Sequence, residues 1–116
     1  MPFIQLVTSS DLAENAHIPD ILTILVEKLS TFDTINSRDI KSFHCLVANW
    51  VTGIGCQPGF AAVKVEILEG RPQELLDSIA TGMFEVLTQC FLESLAADLV
   101  NLTLEVRQME KATYRK

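Results

Sequence analysis

Pro2 carries the first chemical signal in this chain. Proline is small enough for an initiator methionine to be removed ahead of it, so the expected mature chain starts with a proline amine. That amine is secondary and held in a rigid ring. An α-amino group titrates near pH ~8, and burial disfavours its charged form. A buried amino-terminal proline can therefore be neutral at pH 7 and act as a general base. The plainer reading is a proline that only fixes the backbone at a strand start.

Such a base works best beside a cation and an apolar wall. The cation lowers the amine's pKa further and neutralises a developing enolate. Arg71 stands between Gly70 and Pro72 at the expected opening of a helix, where backbone N–H groups also favour an anion. A solvated turn arginine is the equal alternative. Lys41 is a second candidate cation, with an exposed strand lysine as the simpler reading. His17 and His44 have no metal-spaced partner and read as structural. Cys56, in a glycine-rich loop, has no neighbouring base or cation and reads as an inert thiol. Trp50 reads as core or interface, and Phe3 as either core or pocket wall. No phosphate loop, dinucleotide fingerprint or serine elbow is present.

Composition narrows the function classes. A chain of 116 residues with 48% hydrophobic and 21% charged residues reads as one soluble domain spanning 1–116. The net charge of −6 opposes nucleic-acid binding, and any anionic substrate needs a locally basic pocket. Three cysteines without CxxC spacing suggest neither a disulfide framework nor a zinc site, and free thiols fit the cytoplasm. Neither a signal peptide nor an apolar run of ~18 residues is present, so no membrane contact is expected.

The elements that must position these residues follow from periodicity. Residues 2–8 read as a strand, and Ile21, Leu22, Leu25 and Leu29 set a helix over 18–30. Residues 39–52 read as a long strand and 53–59 as a turn cluster. Alternation predicts a strand at 60–68, a wide apolar stripe predicts one helix over 72–95, and a strand is expected at 99–108. The tail, 109–116, reads as a polar arm or disordered segment. The result is an α+β fold, β-α-β repeated over about 2–52 and 60–108. It predicts a four-stranded mixed sheet with two helices on one face.

The chain resembles the 5-carboxymethyl-2-hydroxymuconate isomerase family, within the tautomerase superfamily that also holds macrophage migration inhibitory factor. The resemblance spans nearly the whole chain. It rests on the opening Met1-Pro2-Phe3-Ile4, Ser10-Asp11 ahead of Ile18-Pro19, and Ile40-Lys41-Ser42 with His44 nearby. Trp50, the Gly70-Arg71 turn and Leu104-Glu105-Val106 complete it. It implies a trimer, no cofactor, and a proton moved within a dienol acid by Pro2. It also implies that Arg71 helps bind substrate carboxylate. Where the family has arginines in the second strand, this chain has Lys41 and Phe43. Lysine keeps the charge but not the bidentate fork, and phenylalanine keeps neither. The expected protein is thus a cytoplasmic, homotrimeric tautomerase acting on a small enolisable oxo-acid, with Pro2 catalytic and Arg71 and Lys41 binding substrate. Its rivals are a hydratase or dehalogenase using the same proline, and a non-catalytic trimeric binding module.

Overall fold

Strand β1, Phe3–Ser9, sits inside the sheet rather than at its edge, and the whole architecture is arranged around it. The computed structural model describes residues 2–116; Met1, whose removal the sequence predicts, lies outside the described residues. Strand β2, Lys41–Val47, runs parallel to β1, and β3, Gly59–Leu68, runs antiparallel to it. Strand β4, Val100–Met109, runs parallel to β3, giving the order β2-β1-β3-β4. Each parallel pair is joined through a helix, α1 over Ile18–Leu29 and α2 over Gln73–Cys90. The expected mixed sheet with helices on one face is therefore present.

Side-chain alternation explains the layers. Ile4 and Leu6 of β1 pair with Val65 and Val63 of β3, and all four point into the helix layer as buried core. Ile21, Leu25 and Leu29 of α1 and Ile79, Met83 and Leu87 of α2 meet them from above. Phe3, Gln5 and Val7 point the other way, onto a face that no helix covers.

Three sequence expectations change. The strand expected over 39–52 stops at Val47, because its neighbour β1 ends at Ser9 and offers no further ladder. The next residues turn instead, and the Trp50 indole N–H donates to the Pro58 carbonyl at 2.8 Å. The helix expected over 72–95 breaks at Phe91 (φ −113°, ψ 26°), and a short helix α3 follows at Leu92–Ala96. Phe91 is fully buried, and the buried Glu14 carboxylate accepts the Ser94 backbone N–H at 2.9 Å and the Ser94 hydroxyl, which fixes α3 separately. The tail is docked: Glu69 N–H donates to the Met109 carbonyl at 3.0 Å, and Lys111 N–H donates to Glu69 Oε1 at 3.2 Å.

Candidate active site

Pro2 is buried, and its carbonyl accepts the Lys41 backbone N–H at 3.1 Å. A proline suits this first position because it has no N–H to give to a ladder. The β1–β3 register, Phe3 opposite Glu66, continued by one residue sets Pro2 beside Ile67, which is fully buried. Alternation sets the proline ring on the helix-covered face, with Ile4. The apolar wall that a neutral amine requires is thus supplied by the strand next door.

Arg71 is held at the same end of the sheet. Its Nη1 donates to the Leu68 carbonyl at 2.8 Å, one residue beyond Ile67. Its Nε donates to Thr34 Oγ1 at 2.9 Å and its Nη2 to the Thr34 carbonyl at 3.0 Å. Thr34 lies in the connection from α1 to β2, so the guanidinium ties together the crossovers on either side of Pro2. The partner Thr34 and the residue before Arg71, Gly70, both sit on unusual backbone, at φ 67° and 114°. Of the five N–H bonds of a guanidinium, two remain for an anion. Arg71 is therefore first a clamp, and it keeps its charge beside the proline end.

Lys41 meets Pro2 through the backbone, but its side chain lies on the other face. It pairs with Phe3 across β1–β2, and its ammonium stands 5.8 Å from the centre of the Phe3 ring. Phe43, at 43% exposure, shares that uncovered face.

Charge differs between the two ends of the strands. Arg38 and Lys41 at the start of β2, Arg71 after β3, and Lys111 after β4 stand at the Pro2 end, interleaved with Asp33, Asp39, Glu69 and Glu110. The opposite end carries Asp11, Glu14, Glu93 and Asp98 with no lysine or arginine in its connections. The Pro2 end thus has cations to offer an anionic substrate within a mixed field, whereas the connections of the opposite end offer none. The sequence reading missed Thr34 and Lys111. Neither lies near Pro2 in the chain, and only the strand order brings them to this end.

His44 joins a hydrogen-bond network with Thr8 and Asn15. Asn15 Nδ2 donates to the Ser9 carbonyl at 2.9 Å, which leaves its Oδ1 to accept the Thr8 hydroxyl at 2.6 Å. Thr8 Oγ1 is then the acceptor for His44 Nε2 at 2.7 Å, so the neutral imidazole carries its proton on Nε2. Burial pushes the His44 imidazole below its ordinary range. Among the described residues, no group of three or more His, Cys, Asp and Glu could hold a metal, and no helix is long and apolar enough to cross a membrane. A cavity of about 340 Å³ lies on the uncovered sheet face between Gln5, Val7, Lys64, Thr103 and Glu105, away from Pro2.

Against known proteins, the family model for 5-carboxymethyl-2-hydroxymuconate isomerase matches residues 2–116. The crystal structure of a 5-carboxymethyl-2-hydroxymuconate isomerase from Deinococcus radiodurans R1 superposes with a TM-score of 0.89 at 23% identity, covering 99% of this chain and 87% of that one. A 5-carboxymethyl-2-hydroxymuconate delta-isomerase superposes with a TM-score of 0.82 at 15% identity, covering 100% and 87%. The fused 4-OT wild-type symmetric trimer gives a TM-score of 0.70 at 14% identity, covering 98% and 90%. Among curated protein sequences none matches the chain.

Proposed function

The chain belongs to the 5-carboxymethyl-2-hydroxymuconate isomerase family, and from that premise we propose a cofactor-independent tautomerase that moves a proton within a small enolisable oxo-acid. Pro2, freed of Met1, is its general base and acid. The neutral ring amine takes a proton from the substrate, leaving a dienolate. The resulting ammonium returns that proton at another carbon, so the amine is regenerated and nothing else is consumed. Arg71 and Lys41 are the proposed anion contacts, holding the carboxylate and countering the enolate charge.

The observation that carries this reading is the setting of Pro2: a buried proline beside the buried Ile67 of β3, at the end of the sheet that also carries Arg71 and Lys41. Desolvation and positive charge both favour the neutral amine. The two anion contacts differ in kind. Arg71 offers a fixed charge with two uncommitted N–H bonds. Lys41 extends from the uncovered face, which in a homotrimer of the kind named for the 4-OT neighbour is suited to a site shared with a second copy. We infer such an assembly for this chain.

The test is loss of the ultraviolet absorbance of the 5-carboxymethyl-2-hydroxymuconate dienol, using tag-free protein whose mass shows that Met1 is absent. Turnover well above the spontaneous rate is expected. A rate equal to the spontaneous one removes this substrate from the account.

A further inference from the structure

We infer that Lys111, in the segment after β4, is a specificity-determining residue of the Pro2 site that binds the second carboxylate of a dicarboxylate substrate. The inference rests on the tautomerase reading above for the location of the substrate.

Lys111 is held by the same turn that presents Arg71. Its backbone N–H donates to Glu69 Oε1 at 3.2 Å, and the Glu69 N–H in turn holds the Met109 carbonyl. Its side chain then folds back across the turn. The ammonium stands 3.1 Å from where a Cβ on Gly70 would be, with Cε at 3.7 Å. A side chain at position 70 would press on that ammonium and make it give way by a few tenths of an ångström, and the φ of 114° there also favours glycine. The bare Gly70 thus lets the Lys111 stem lie close over the turn residue that precedes Arg71.

The two cations are committed differently. Arg71 spends three donors on Thr34 and Leu68. The Lys111 ammonium makes no ion pair or side-chain hydrogen bond among the described residues, and Glu69 Oε1 accepts the Lys111 backbone N–H instead. A fixed charge next to an uncommitted one suits a ligand with two anionic ends, one met by the clamp and the other by the flexible stem. On this reading, positive charge that Phe43 does not give β2 is supplied from the end of β4, on the far side of β1 and β3.

The probes are trans,trans-muconate and sorbate, which share a six-carbon diene and differ in a carboxylate against a methyl group. Their binding to tag-free, Met1-processed protein is measured by calorimetry for wild type, Lys111→Ala and Lys111→Arg, alongside thermal melting. Muconate is expected to bind Lys111→Ala about tenfold more weakly than wild type, as for one lost charge-assisted contact, while sorbate changes by less than about twofold. Lys111→Arg is expected to restore muconate binding. Equal muconate affinity in wild type and Lys111→Ala overturns the inference, as does a loss shared by both ligands or a wild type that binds neither. Because binding is read without turnover, selective muconate loss in a protein that does not isomerise the dienol would uphold Lys111 and fail Pro2.

Discussion

Arg71 and Thr34 are joined by two hydrogen bonds, from Nε to the threonine hydroxyl and from Nη2 to its carbonyl, at 2.9 and 3.0 Å. The pair bridges the α1–β2 and β3–α2 connections across the end of the sheet where β1 begins. A third bond, to the Leu68 carbonyl, fixes the guanidinium to β3. Charge and architecture therefore meet in one side chain at the Pro2 end of the sheet. Arg71→Ala should lower stability by about 1–2 kcal/mol through these partly exposed bonds, and should lower kcat/KM as well. Arg71→Lys should recover less than half of the stability, because an ammonium cannot reproduce the planar fork. Urea midpoints and dienol kinetics on the same samples check both.

Glu14 and Ser94 give a second prediction, remote from the site. Glu14 is 5% exposed, and its carboxylate accepts both the backbone N–H and the hydroxyl of Ser94. Glu14→Ala strands a buried N–H at the start of α3. A loss of about 2–3 kcal/mol is expected in denaturant melts. Ser94→Ala removes only the hydroxyl contact and should cost about half as much.

His44 predicts how stability depends on pH. Burial holds its imidazole below the ordinary value of 6.5 in the folded chain. The unfolded chain therefore takes up this proton first as pH falls. Stability from His44 is full above about pH 6.5, declines below it, and levels off once the folded imidazole protonates. Melting temperatures of wild type and His44→Gln, compared between pH 7.5 and 5, should show a smaller acid loss in the variant.

Much of the fold was legible because burial here follows simple periods. Val63, Val65 and Ile67 alternate with Ala62, Lys64 and Glu66 in β3, and Ile21, Leu25 and Leu29 repeat at helical spacing in α1. The break at Phe91 was not legible, because the apolar stripe runs through it and the cause is Glu14, 80 residues away from Ser94. The early end of β2 depends on where β1 stops, a property of the pair rather than of either strand. At the site, Pro2 was visible from its position in the chain alone. The hydrogen-bond commitments of Arg71, the side on which Lys41 lies and the nearness of Lys111 to Gly70 all depend on strand order, which residue types do not encode.

The central claim is that the free amine of Pro2 moves the proton. The most direct measurement compares dienol turnover by Met1-processed wild type and Pro2→Ala, with circular dichroism showing both folded. A fall of about 100-fold or more in kcat with an unchanged fold is predicted, because the alanine amine that remains is primary and is no longer positioned by the ring. Equal rates for the two proteins would contradict it.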